Sequence, residues 1–204
     1  MMFGILPQEI EQQIRVREGC VLDLHITYPM FPEQRELTAL YRREAENYLA
    51  RLTDLCRTTL ADLPMGALGP HLRAEQTYTI GWEREDFVSL YFDRYEDMGL
   101  YHTALGRRSD LWRMPEGRPM TMGELFRDPA QVRQRVEERI ARVMADDPPG
   151  QWFGGWQRKR RWFFLTERGL CIYFRPGDIA SGAAGIPLFL IPWSHLEGCL
   201  NFPL

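Results

Sequence analysis

Between Phe163 and Leu196 the chain reads FFLTERGLCIYFRPGDIASGAAGIPLFLIPWSHL, and this stretch restricts the fold more than any other. Apolar runs of strand length flank one Gly/Ala-rich return. The segment predicts a sheet-terminated chain end with an exposed loop over 177–186, a binding surface more than a catalytic centre.

The rest of the sequence fits that picture. Ile14 and Val16, then Leu22, Leu24 and Ile26, alternate with polar residues around Glu18-Gly19, as in a hairpin that Tyr28-Pro29 ends. From Pro32 to Leu60 the apolar positions Leu37, Leu40, Tyr41, Tyr48, Leu49, Leu52, Leu55 and Cys56 recur at helical spacing, with Pro32 suited to the first turn. Two further strands follow in TYTIGW and FVSLYFDRY. The second carries bulk on both faces and reads as central. A turn at Asp97-Met98-Gly99 leads into a third strand through His102 and Ala104 toward Trp112. Thr121 and Glu124 form a capping-box pattern ahead of Leu125-Phe126. Val132, Val136, Ile140, Val143 and Met144 then make a second apolar stripe, and strands at 162–165, 170–174 and 188–191 close the chain.

The expected fold class is α+β, a mainly antiparallel sheet with two amphipathic helices packed on one face. The organisation expected is an N-terminal strand-helix-strand segment over 1–110 and a C-terminal helix-and-strand segment over 111–204, packed as one structural unit.

Composition narrows the function classes. With 204 residues and 45% hydrophobic content the chain can bury a core without staples, and a net charge of −3 gives it no overall pull toward nucleic acid or an anionic membrane. No segment approaches the ~20 apolar residues that span a bilayer, and no signal peptide is evident, so the chain as written reads as cytoplasmic; a fragment of an exported protein would read the same. Cys20, Cys56, Cys171 and Cys199 contain no C-x-x-C pair, which disfavours zinc and leaves three disulfide pairings open in an oxidising compartment.

Nucleophile, base and orienting group nowhere occur at a recognisable spacing. Ser194-His195 lacks a G-x-S-x-G turn, and an extended chain would point the two apart. His195 and Cys199 stand four apart, but Pro192 and Gly198 argue against the helix that would align them on a metal. Trp152, Phe153, Trp156, Arg158, Lys159, Arg160, Arg161 and Trp162 combine rings and cations as single-stranded nucleic-acid sites do; the simpler expectation is a loop whose rings cover the sheet end while the cations stay in water. No enzyme activity, cofactor, metal or nucleic-acid partner is expected.

The residues do resemble a known family. Leu165-Thr166-Glu167-Arg168-Gly169-Leu170, Ile172-Tyr173-Phe174, Asp178-Ile179-Ala180, Ala183-Ala184-Gly185-Ile186-Pro187 and Ile191-Pro192-Trp193-Ser194 follow the order of the domain shared by RsiV-type anti-sigma factors, which sense lysozyme, and by the non-catalytic region of PdaC-type peptidoglycan deacetylases. Tyr28-Pro29, Phe92-Asp93 with Tyr95, and Thr121 to Phe126 fall at further family landmarks. Two places depart. Gly99-Leu100-Tyr101-His102 stands where the family tends to have Gly-Gly-Ala-His, and Gly177, Ser181 and Gly182 replace an aromatic and a proline. The resemblance implies a non-catalytic binding or sensing domain, with lysozyme or a cell-wall glycan as partner and contacts at Tyr95, Gly99, Tyr101, His102, Asp178, Ala183, Ala184 and Gly185. Alternatives are an accessory domain or enzyme acting on cell-wall glycan, and a cytosolic scaffold. Trp193 and the loop residues would equally suit a homodimer surface.

Overall fold

The computed structural model describes residues 3–64, 66–100 and 102–202. By internal contacts the chain divides into a first unit, Met1–Thr79 with Phe92–Gly106, and a second, Ile80–Tyr91 with Arg107–Leu204. The fold class is α+β with mainly antiparallel pairing, as expected, but the strands belong to two sheets.

Strands β1 (Leu6–Arg17), β2 (Cys20–Met30), β3 (His71–Arg84), β4 (Phe87–Asp97), β5 (Thr103–Arg113) and β6 (Arg118–Pro119) form a six-stranded sheet in sequence order. β1 and β2 are an antiparallel hairpin whose register sets Ile14 opposite Leu22 and Glu11 opposite His25. The hairpin is longer than its apolar alternation predicts, and Pro29 does not end it, since Pro29 faces Pro7 within the pair. β2 and β3 run parallel, Leu22 beside Leu72 and Leu24 beside Ala74. A parallel neighbour cannot be reached by a tight turn, and helix α1 (Arg35–Leu55) supplies the crossover. The central placement of β4 is as its two bulky faces predict.

In the first unit α1 lies against β2, burying Leu37, Tyr41, Ala45, Tyr48 and Leu52. Pro32 precedes this helix instead of opening it; Gln34 is the N-cap. The last turn widens into a π-helix over Cys56–Leu60, which buries Cys56 and Leu60. Tyr41 stacks between Phe31 and Phe92 at centroid distances of 6.0 and 5.3 Å. Rings of this size contribute about 1.5–3 kcal/mol each on full burial.

The second unit contains β7 (Trp162–Thr166), β8 (Gly169–Tyr173) and β9 (Leu188–Pro192), an antiparallel three-stranded sheet with β8 in the middle. The Thr121–Glu124 box closes a single turn, α2 (Met122–Leu125), and not the long helix. The long helix α3 (Pro129–Asp146) has its own start: the Asp128 carboxylate accepts from the amides of Ala130 and Gln131, both at 3.0 Å, with Pro129 in the first turn. Its buried stripe of Val132, Val136 and Ile140 joins Phe87, Leu165, Leu170, Phe189, Ile191 and Trp193 in one core. Trp156 is buried there and Trp152 packs on Phe189, so the loop after α3 does cover apolar surface with its rings.

The four cysteines are buried and unbridged. A chain of this size holds its core without cross-links. No helix among the described residues is long and apolar enough to cross a membrane.

Candidate functional site

Strand alternation gives the first unit's sheet one apolar and one polar face. Leu22, Leu24 and Ile26 of β2 are buried, which turns Asp23, His25 and Thr27 the other way. Register then brings neighbours onto the same open side: Gln13 and Glu11 from β1, Arg73 and Glu75 from β3. A cavity of about 710 Å³ lies over this face, lined by Glu11, Asp23, His25, His71, Glu75 and Asp97 among others.

Its polar groups are tied in short links. Gln13 donates to Asp23 Oδ1 at 2.8 Å, and His71 Nδ1 lies 3.3 Å from Asp23 Oδ2. Those two contacts, Gln13's first, hold the Asp23 carboxyl below its ordinary range. His25 Nε2 stands 4.0 Å from Glu11 Oε1, and the Arg73 guanidinium pairs with Glu75. Potential ligand atoms of Glu9, Glu11 and His25 all fall within 4.8 Å of one another, an imidazole-carboxylate set that could hold a divalent cation.

Of the residues expected to make contacts, Tyr95, Gly99 and His102 belong to this unit. Tyr95 is half-buried on the same side of β4 as Asp97. Gly99 adopts φ 64°, donates its amide to Asp97 Oδ1 at 3.0 Å, and packs so close to the 67–69 backbone that an added Cβ would lie 3.4 Å from the Ala67 carbonyl oxygen. The turn is therefore set by Asp97 and by a glycine-only conformation. Leu100 at its tip is 89% exposed. His102 is exposed, and its Nε2 lies 3.5 Å from Glu96 Oε2. Tyr101 lies outside the described residues.

Asp178, Ala183, Ala184 and Gly185 belong to the second unit. Gly182–Ala184 form a 3-10 turn started by Ser181, whose hydroxyl accepts from the Ala183 amide at 3.3 Å. Ala183 and Ala184 are exposed, Asp178 half-buried, and Gly185 takes φ 79°. Ser194 and His195 lie on a 3-10 turn, Trp193–Leu196, and not on an extended chain. Cys199 Sγ is engaged with Gln131 Oε1 at 2.9 Å.

Sequence reasoning missed the polar face of β1 to β3. Its signal was present in EIEQQ and in Asp23-Leu24-His25, where the residues between the apolar ones are acids and imidazole. The unanticipated step was the parallel β2–β3 pairing, which adds His71, Arg73 and Glu75 to the face.

Comparison with known proteins gives three results. Residues 124–194 match a family described as a protein of unknown function, DUF3298. No curated protein matches the chain in sequence. Among solved structures, a member of the DUF3298 family from Bacteroides fragilis superposes with a TM-score of 0.69 at 13% identity, covering 97% of this chain and 93% of that one. A DUF3298 family protein from Pseudomonas aeruginosa gives 0.69 at 14% identity, covering 98% and 94%. The chain thus has the fold of these two proteins along nearly its whole length, and over 124–194 it is similar to the DUF3298 family in sequence as well.

Proposed function

We propose that this chain is a non-catalytic binding domain whose docking surface is the open face of β1 to β3, and that its partner is a cationic protein of the lysozyme kind. One observation carries the reading. The cavity over that face is lined by Glu11, Asp23, Glu75 and Asp97, and Asp97 also fixes the 98–102 turn that the RsiV resemblance marks for contact. Ionised carboxylates on a shallow sheet face complement a basic partner and steer its approach.

The chemistry of the face favours holding over turnover. A carboxylic acid that donates a proton near neutral pH has its pKa raised by burial, whereas Asp23 is shifted downward. Its pair with His71 is open to water, the two side chains being 51% and 71% exposed.

The test is a titration of the isotope-labelled protein with hen lysozyme at low salt. Shifts centred on Glu11, His25 and Gly99, weakened by Glu9→Lys with Glu11→Lys, are the expected result. Silence throughout would sink the lysozyme assignment, and shifts confined to the second unit would sink the surface. Release of acetate or reducing sugar from peptidoglycan by the purified protein would overturn the non-catalytic reading.

A further inference from the structure

Strand β1 ends the six-stranded sheet and pairs with β2 alone. The pairing of β2 tells which backbone groups lie along the other edge of β1. The Val21 amide donates to the Pro70 carbonyl at 3.0 Å, so Val21 and, by alternation, Asp23, His25 and Thr27 turn their backbone groups toward β3. Arg15, Gln13, Glu11 and Glu9 stand opposite these four in the hairpin and therefore turn amide and carbonyl outward. No hydrogen bond among the described residues reaches those outward groups. Glu9, Glu11, Gln12, Gln13 and Arg15 are all exposed.

The free stretch has two ends. Pro7, at the next outward position, has no amide to give, and its carbonyl already accepts from the Gln8 side chain at 3.0 Å. Beyond Arg15 the chain that follows α1 closes in: the π-helix over Cys56–Leu60 packs on β1, and the Arg17 guanidinium donates to the Leu63 carbonyl at 2.8 Å. What remains is EIEQQIR, residues 9–15. Turned end for end, this segment complements itself. With Gln12 facing Gln12 of a second copy, Glu9 faces Arg15, Ile10 faces Ile14, and Glu11 faces Gln13 with Arg15 on its diagonal. Within its own chain Arg15 has no carboxylate partner among the described residues, and Ile10 is only half-buried.

We propose that two copies of the chain pair along this edge, residues 9–15 of one running antiparallel to residues 9–15 of the other about a two-fold axis at Gln12. Every outward amide and carbonyl of Glu9, Glu11, Gln13 and Arg15 then finds a partner, in the pairs 9 with 15 and 11 with 13 and their symmetry mates. Charges along an exposed edge normally deter pairing. Here their order selects the partner, because an in-register parallel pair would set Glu on Glu and Arg on Arg, and an antiparallel pair centred on Glu11 would set that carboxylate against its own copy. A second copy carries the required charge order by construction. The dimer joins two six-stranded sheets edge to edge with their polar faces on one side, and it does not rest on the docking reading of that face.

The experiment is sedimentation of the full chain with no lysozyme present, so its failure leaves the docking reading untouched. At low salt a monomer–dimer equilibrium is expected between about 10 μM and 1 mM chain, the range of a small interface, and added salt should weaken it. Arg15→Glu alone, and Glu9→Arg with Glu11→Arg, should each give monomers over that range. An equimolar mixture of these two variants should dimerise again, since each supplies the charge the other has lost. Gln13→Pro removes an amide that β2 does not use and should abolish the dimer. Should that variant not fold, the mixture decides alone. Four results would each overturn the assignment: a parent chain that stays monomeric at about 1 mM, charge variants that dimerise by themselves, a mixture that stays monomeric, or a dimer that survives in folded Gln13→Pro.

Discussion

The phenol of Tyr48 donates to the carboxylate of Glu96 at 3.0 Å, joining α1 to β4 inside the first unit. Glu96 is 7% exposed, and the Arg51 guanidinium and the His102 ring meet the same carboxylate. Burial, with the Glu96 charge adding to it, pushes the Tyr48 hydroxyl well above its ordinary pKa, so it stays a donor at any physiological pH. Tyr48→Phe should cost about 1.5–3 kcal/mol in chemical denaturation, the range for a hydrogen bond to a charged group. Glu96→Ala should cost at least as much, because it strands the phenol and removes the carboxylate that Arg51 meets. A neutral outcome for both would mean the cluster does not hold α1 to the strand.

Acid stability should depend on Glu124. Its carboxylate accepts from the Thr121 amide at 2.9 Å and meets Arg118 at 2.7 Å, and these contacts, the amide first, lower its pKa to about 2. A group depressed on folding stabilises fully above its unfolded pKa, about 4.3 for Glu, and loses that stabilisation as pH falls toward the folded value. Glu124→Gln should flatten the stability profile between about pH 4.5 and pH 2 and leave its shape above pH 6 unchanged. Melting curves across that interval check it.

Two glycines should be irreplaceable for lack of space. A Cβ on Gly169 would lie 2.2 Å from the Ile191 carbonyl oxygen, and one on Gly81 would lie 2.4 Å from that of Leu165. Both obstacles are backbone, which cannot swing aside. Either Gly→Ala change should destabilise by about 1–3 kcal/mol or more, as overpacking does. By contrast Gly106→Ala, which meets nothing within 4 Å, should be tolerated in the same thermal melts.

Thiol chemistry should be silent until the chain unfolds. All four cysteines are buried and unbridged, and burial, the main cause, raises the Cys56 pKa to about 11. Since the thiolate is the reactive form, an aromatic disulfide reagent should label all four only in denaturant, and reductant should leave the melting temperature unchanged. A shift on reduction would reveal a bridge.

The legible parts of the fold were those fixed by local period. The α1 stripe, the bulk on both sides of β4 and the final strands follow from residue spacing, and each falls close to where that spacing puts it. Boundaries set by side-chain chemistry were harder. The capping box at Thr121 is real, yet Asp128-Pro129 begins a new helix within one turn of its end, and either signal alone reads as a helix start. The parallel β2–β3 pairing was hidden because nothing local distinguishes a parallel from an antiparallel neighbour, and the acidic face depends on it. Of the expected contact residues, Gly99 bonds to Asp97, which lines the cavity, while Gly99 and Tyr95 themselves do not line it. His102 is an exposed ring beside the turn, and it also lies near the Glu96 carboxylate that its own strand hairpin contributes.

The crossover from Met30 to His71 has a consequence for the order of assembly. The β1–β2 ribbon closes through a two-residue turn and can zip within microseconds, whereas β3 must await α1 and a loop of some 40 residues, a slower search. On a ribosome the Glu11–His25 pair would therefore exist well before Asp23 meets His71. Pulse-labelled exchange during refolding should show the ribbon's amides protected early and the β2–β3 amides late, so that a nascent chain acquires its imidazoles one at a time.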